Sequence, residues 1–561
     1  MNEHRQIGYL VGGGLKENLR VRLTVPAQEV QEGAFVVIES GDWLFYGIIT
    51  DLMLGATDPR FADEQSEHRL PPVLARALHG QTLYTNAEVL PTLMLERGPE
   101  PGSPEYETWF AEREKGKKRP RPIKTVPAHH APVRLASAGD IAEVFGKEGK
   151  KGNFVIGHTR EQGHPVCINL ERFVQRSAGV FGATGTGKSF LTRLLLAGLI
   201  HHDSASVLVF DMHNEYGFDD TASDTGENVI GLKTKFGSKV QVVGLGAGTT
   251  IRGHQPDFHV VIPSDAITPS DILLLHRELN LTDTAATVLD ALYQSFGKAW
   301  FRKFRQLRNK ATETIEDENG RTKIVPASDS VAAWANEHGV HVMAAEALHS
   351  KLGRLFHRSY IMDEPPENAK IQHIVDALEA KRHVVLSFGA FESDLDYLLV
   401  SNLLTRVIRE RWEEKTNAFR SQGKPEMEPR QLVIVIEEAH KLLNREMAAQ
   451  TTFSTIAREM RKYYVTLLIV DQRPSQIYDE VMSQLGTRIS GWLGDEDDIR
   501  AVLSGISGRE ALRGMLARLQ PKEEVLLLGW GVPMPLPVRS RRYGPAFWEE
   551  LLGQKRKRSV E

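Results

Sequence analysis

The chain has 561 residues, 41% hydrophobic and 25% charged, ordinary globular usage that excludes a fibrous or wholly disordered protein and leaves room for two to four domains of roughly 150 residues each. Its 69 Lys and Arg stand against 73 Asp and Glu, a formal net charge of -4, so the molecule as a whole is no electrostatic sponge for nucleic acid and any DNA contact must be local. The lone Cys167 excludes an intramolecular disulfide and a thiolate metal cluster; with no apolar run near the roughly 18 residues that cross a bilayer and no secretory pattern at the start, a cytoplasmic location is expected.

Residues 1–173 read as a small β domain. Short apolar or alternating runs, IGYLVGGG, LRVRLTV, AFVVIES and WLFYGIITDLML, recur about every ten residues, the spacing of an antiparallel barrel or sandwich. The polar, proline-bearing stretch Asp58 to Pro72 interrupts the pattern, and RGPEPGSPEYE followed by the basic run Arg113 to Lys124 reads as a flexible, exposed insertion. β character returns in APVRLAS, NFVIGHT and PVCINLERF, which closes the unit at residue 173.

From residue 174 apolar strands alternate with helices, the signature of a doubly wound parallel sheet. Residues 174–266 hold the first part of this α/β core and 382–540 the second. Between them, 267–381 is a helical insertion, on the periodicity of PSDILLLHRELNL and TAATVLDALYQSFGKAW, with TETIEDENGRTK as a polar loop inside it. Residues 541–561 form a C-terminal segment ending in the basic QKRKR; that tail, Arg113 to Lys124 and Phe301 to Lys310 are solvated faces or local nucleic-acid contacts.

GATGTGKS fits the phosphate-loop pattern at every constrained place and lies between a strand and a helix. Gly182, Ala183, Thr184, Gly185, Thr186 and Gly187 are expected to turn their N–H groups toward phosphate oxygens of ATP, assisted by the positive end of the following helix. Lys188 is expected to reach the β and γ phosphates, and Ser189 to ligate Mg2+. LVIVIEEAH ends a buried strand in two carboxylates with different tasks: Glu437 for magnesium and Glu438 for the attacking water. Asp211 and Glu215, past the strand VLVFD, either assist at that crevice or start a turn. Gln472, ending LLIVD, is a candidate γ-phosphate sensor. Hydrolysis also calls for an arginine on the transferring phosphoryl group, commonly from another subunit; Arg176, Arg458 and Arg461 are the candidates.

In combination, RSAGVFGATGTGKS, VLVFDMHNEYG, VIVIEEAHKLL, STIAREMRKYYVTLLIVDQRPSQI and the N-terminal β domain resemble the HerA branch of the FtsK/HerA DNA-pumping ATPases. The resemblance implies a RecA-like P-loop ATPase core with a helical insertion, preceded by an N-terminal β-barrel and followed by a segment that braces a neighbour. It implies a homo-hexameric ring around double-stranded DNA, with a partner nuclease or effector, NurA-like or sirtuin-like, docked on the barrel tier. It makes Lys188 and Ser189 the nucleotide and magnesium contacts, Glu438 the catalytic carboxylate, Gln472 the sensor, and Arg176 and Arg461 the ring's arginines, one of them acting across the interface. Two departures stand out. Many relatives have aspartate where this chain has Glu437, and the stretch Gly98 to Lys124 leaves the partner-facing surface unassigned. A different class remains open beside the motor: a ring that binds ATP to assemble and activate a partner. A small-molecule kinase is disfavoured by the tandem glutamates, the β domain and the chain's length.

Overall fold

The computed structural model describes residues 5–57, 83–100, 102–114, 118–221, 226, 228–316, 322–447 and 452–558, without the side chains of 83, 114 and 554–558. The polar stretch from Asp58 to Pro72, part of the Arg113 to Lys124 run, part of TETIEDENGRTK and the side chains of the basic tail therefore lie outside the described residues.

Six antiparallel strands, Gln6–Gly12, Leu19–Leu23, Phe35–Ser40, Trp43–Ala56, Leu83–Glu96 and Pro132–Leu135, close into an N-terminal barrel. Closure is made by Leu19–Leu23 pairing with Leu83–Glu96, Leu19 opposite Val89, and it removes the free edges an open sheet would expose. Ile7, Val21, Val36, Ile38, Ile49, Val89 and Val133 fill one cluster of buried side chains within it. Strand Phe35–Ser40 is apolar on both faces because Val36 and Ile38 join that cluster, while Phe35 and Val37 join the core of the rest of the molecule. Helix Ala138–Phe145 carries the join, with Ile141, Val144 and Phe145 buried there. Its start is fixed by a capping box between Ser137 and Asp140 and by the Arg134–Asp140 ion pair at 2.7 Å.

The core is one 12-stranded sheet. Eight strands run parallel in the order Phe258–Val260, Val240–Leu245, His383–Ser387, Ser206–Asp211, Leu432–Glu437, Val465–Asp471, Ala178–Phe181 and Thr487–Ser490. Four antiparallel strands extend it: Glu524–Gly529, Leu536–Ser540, Asn153–His158 and Pro165–Asn169. The last two were expected to close the N-terminal β unit at residue 173. Asn153–His158 pairs instead with Leu536–Ser540, Arg539 opposite His158, and carries Pro165–Asn169 on its other side, because alternation specifies a strand's two faces and not which strand lies beside it.

The insertion between Phe258–Val260 and His383–Ser387 is helical, with Thr284–Phe296, Trp300–Gln306, Val331–Glu337, Val342–Phe356 and Gln372–Glu379. Its polar segment is an exposed two-stranded ribbon, Thr312–Glu316 against Thr322–Pro326, rather than a loop. The insertion ahead of the basic run also holds structure: helix Tyr106–Glu114 is tied down by the Arg113–Glu143 ion pair. Phe301 and Phe304 of the third basic stretch are buried, Arg305 pairs with Asp363 and Arg308 with Asp329, so that stretch is a structural helix face. The C-terminal helix Pro545–Arg558 buries Phe547, Trp548 and Leu551 against its own subunit. Among the described residues no helix is long and apolar enough to cross a membrane.

Candidate nucleotide site

Strand Ala178–Phe181 is wholly buried between Val465–Asp471 and Thr487–Ser490 and delivers the chain into Gly182 at the carboxyl edge of the parallel strands, where ligands of open α/β sheets bind. Gly185 and Gly187 have φ of 75° and 90°, a left-handed backbone that costs an L side chain about 1–2 kcal/mol. At Gly182 the limit is space: a Cβ would stand 2.5 Å from Thr186 Oγ1. Gly187 opens helix Lys188–His202 with no side-chain cap, so the first N–H groups are left for an anion. Lys188 Nζ lies in the loop and donates to the Ala183 carbonyl at 3.0 Å. Burial pushes its ammonium below the ordinary value, against the pull of Glu438, Asp471, Glu437 and Glu215. Ser189 follows, half-buried in the helix's first turn.

Glu437 ends strand Leu432–Glu437 and is 7% exposed. Its Oε1 accepts the Tyr216 hydroxyl at 2.5 Å, Tyr397 donates to its main-chain carbonyl at 2.9 Å, and its Oε2 is buried without a partner. Burial, and then the neighbouring Asp211, raise its pKa well above the usual carboxylate value. Asp211, pushed up to about 6 chiefly by burial, accepts the N–H groups of Glu215 at 2.7 Å and Tyr216 at 2.9 Å. It therefore caps the turn that seats Tyr216. A cation beside the orphaned Glu437 oxygen would relieve both the desolvation and the Asp211 repulsion, so this carboxylate is chemically suited to Mg2+.

Glu438 takes a left-handed φ of 45°, uncommon for a residue with a side chain and of the kind that gathers at functional sites. Its Oε2 accepts Gln472 Nε2 at 3.2 Å, and Gln472 Oε1 accepts the Thr184 hydroxyl at 2.6 Å. One amide thus joins the phosphate loop to the second glutamate. Behind them, His440 donates its N–H to Asp471 Oδ2 at 2.7 Å, its ring Nδ1 lies 2.9 Å from the same oxygen, and Glu438 Oε2 is 3.7 Å from that nitrogen. The hydrogen bond to Asp471 raises the imidazole's pKa.

Lys188, Glu437, Glu438 and Gln472 come together at this edge; the arginines do not. Arg176 precedes strand Ala178–Phe181 and so lies at its opposite end, about 20 Å of extended chain from the loop. Its guanidinium carbon is 4.2 Å from the Trp530 ring centroid. Arg461, exposed in the turn Met460–Tyr463 that leads into Val465–Asp471, is on that same far edge. Arg458 is exposed and 3.5 Å from Glu480. Sequence reasoning passed over Tyr216, Tyr397, Asp471, His440 and Trp530. His440 and Asp471 stand beside the motif residues and could have been flagged, whereas the tyrosines and Trp530 carry no motif signal.

A family model described as "Helicase HerA, central domain" matches residues 154–407. The chain is 23% identical over 543 residues to "DNA double-strand break repair helicase HerA" of Sulfurisphaera tokodaii, spanning 96% of this chain and 93% of that protein. It is likewise 23% identical over 545 residues to the protein of the same name from Saccharolobus solfataricus, over 95% and 91% of the two chains. Among solved structures, VirB4 of Thermoanaerobacter pseudethanolicus aligns over 72% of this chain and 99% of its own, at 15% identity and a TM-score of 0.43. The chain thus carries a HerA-type central domain and is similar over nearly its whole length to HerA helicases, and it is a P-loop ATP hydrolase.

Proposed function

We propose that the protein is an ATP-driven double-stranded DNA translocase of the cytoplasm. It works as a homo-hexamer whose barrel tier docks a partner nuclease or other effector, NurA-like or sirtuin-like, in DNA end processing or antiphage defence. The observation that carries the motor reading is the Thr184–Gln472–Glu438 chain. A hydroxyl on the phosphate loop, an amide and a carboxylate in series let the site register a γ phosphate and hold the water-activating group accordingly. ATP occupies the loop, Lys188 exchanges its bond to Ala183 for phosphate oxygens, Glu438 polarises the attacking water and Gln472 keeps Glu438 in place. Magnesium, held by Glu437 and Ser189, supplies neutralising charge to the phosphates when bound.

Arg176 and Arg461 lie at the edge remote from their own loop, so they serve a nucleotide only as trans-acting groups of a ring, which supports an oligomer. The printed name of the full-length relatives, repair helicases, supports DNA as the substrate. A net charge of -4 suits a ring in which only the pore need be basic. A scaffold that merely binds ATP would have no chemical use for Glu438 and its amide.

The test is steady-state ATP hydrolysis with and without linear double-stranded DNA, beside Glu438→Gln. The motor reading expects stimulation by DNA and a loss of at least about a hundredfold in the variant. Hydrolysis indifferent to DNA, or absent while ATP still drives assembly, would replace it with the partner-activating scaffold.

A further inference from the structure

At the far edge of the sheet the Trp530 ring is 39% exposed and carries two guanidinium groups, Arg176 at 4.2 Å and Arg172 at 4.5 Å from its centroid. The main chain is arranged to put it there. Gly529 turns at a φ of 90°, where a Cβ would stand 2.1 Å from the Gly486 carbonyl oxygen. Trp530 then donates its N–H to that same oxygen, and Gly486 donates to the Ser177 carbonyl at 2.8 Å. Gly486 also makes room for the arginine: a Cβ on it would be 2.6 Å from the Arg176 Cβ. On the other side, Asn169 accepts the Arg172 N–H at 2.8 Å and fixes the short helix Leu170–Phe173 that bears Arg172.

Among the described residues neither arginine has a carboxylate partner, and Arg176 Nε is buried without a hydrogen bond, whereas exposed arginines elsewhere, such as Arg308 and Arg518, are paired with acids. A guanidinium stacked on an aromatic ring is held by its face and keeps its in-plane donors free. Two such cations without a counter-ion form a site for an anion with several acceptor oxygens, and their own nucleotide loop is at the other end of the strand.

We infer that Trp530 is a positioning residue, presenting Arg176, with Arg172 beside it, to the phosphates of the nucleotide held by a neighbouring subunit. This rests on the reading that Arg176 acts in trans. Leucine at 530 would fill space and lose the π face, leaving the guanidinium to sample many rotamers; phenylalanine would keep it.

The experiment uses the full-length protein and measures kcat and KM for ATP without DNA, oligomeric state by light scattering, and DNA affinity, for Arg176→Ala, Arg172→Ala, Trp530→Leu and Trp530→Phe. Trp530→Leu is expected to assemble normally and lose about tenfold in kcat with KM within about twofold, Trp530→Phe to keep most of the rate, and Arg172→Ala to lose a few-fold. Mixing Trp530→Leu with Lys188→Ala subunits should recover hydrolysis, since nucleotide on the first kind would then face an intact platform on the second. Wild-type kcat in Trp530→Leu beside a crippled Arg176→Ala overturns the platform and leaves the trans-acting arginine standing. Wild-type kcat in Arg176→Ala overturns the underlying reading itself. Failure of both Trp530 variants to assemble makes the ring a structural contact only. Weaker DNA binding at an unchanged DNA-free kcat assigns the cations to the DNA backbone instead.

Discussion

Gln472 donates to Glu438 at 3.2 Å and is itself the acceptor for Thr184 at 2.6 Å, so the carboxylate that would activate water is oriented by an amide whose other end rests on the phosphate loop. Gln472→Ala is expected to lower kcat by about 10- to 100-fold while nucleotide affinity changes little, because the lost contact orients a catalytic group without itself gripping ATP. Single-turnover hydrolysis beside equilibrium nucleotide binding checks this. An equal loss in both would make Gln472 a plain binding residue.

Tyr216→Phe removes the partner of Glu437 Oε1 and leaves the whole buried carboxyl group without a side-chain hydrogen bond. The expected cost is about 1–3 kcal/mol of stability in nucleotide-free protein, read from urea unfolding. Mg2+ with ATP should restore much of it, since a ligand that binds the folded state alone adds to stability.

His383, on a buried strand with Nδ1 unpartnered, is held down to about 4 by burial and then by Arg430, against an ordinary 6.5. Between those two values the unfolded chain binds the extra proton, so its contribution is fully present above pH 6.5 and is lost as pH falls toward 4, about 3 kcal/mol in all. His383→Leu is expected to flatten the pH dependence of unfolding over that window. An unchanged slope between pH 7.5 and 5 would assign acid sensitivity to other groups.

Asp140 pairs with Arg134, which also reaches Glu39 at 2.7 Å, and closes the capping box of Ala138–Phe145. Asp140→Ala leaves the nearly buried Arg134 guanidinium with Glu39 alone and removes the Asp140 half of the capping box, while Ser137 remains as the cap, an expected loss of about 2 kcal/mol or more. Asp140→Asn, which retains a cap, should lose less. Calorimetry would show the barrel transition falling below that of the core.

The parts of the site that were legible are those written in adjacent residues. Gly182 to Ser189, the Glu437–Glu438 pair and Gln472 each end a buried strand, and parallel strands of one sheet bring such ends to one edge. Barrel strands were legible by alternation, although Phe35–Ser40 is buried on both faces and reads as a continuous apolar run. What stayed hidden depends on contacts through space. The Tyr216 hydroxyl, past the end of one strand, reaches Glu437 at the end of the adjacent strand, Trp530 meets Arg176 through the Gly486 main chain, and Asn153–His158 finds its neighbour in a strand remote in sequence. The ribbon Thr312–Glu316 and Thr322–Pro326 was taken for a loop because its exposed faces are polar almost throughout.

The pairing of Asn153–His158 with Leu536–Ser540 has a consequence for biosynthesis. The hairpin that Asn153–His158 forms with Pro165–Asn169 leaves the ribosome well before its neighbour Leu536–Ser540 is translated, so its outer edge waits roughly 20 to 70 s for a partner at ordinary elongation rates. An unpaired edge of that kind recruits other chains. Nascent chains stalled before residue 536, and products truncated there, should therefore need chaperone cover or precipitate, and translation through Ser540 is what covers the hairpin's open edge.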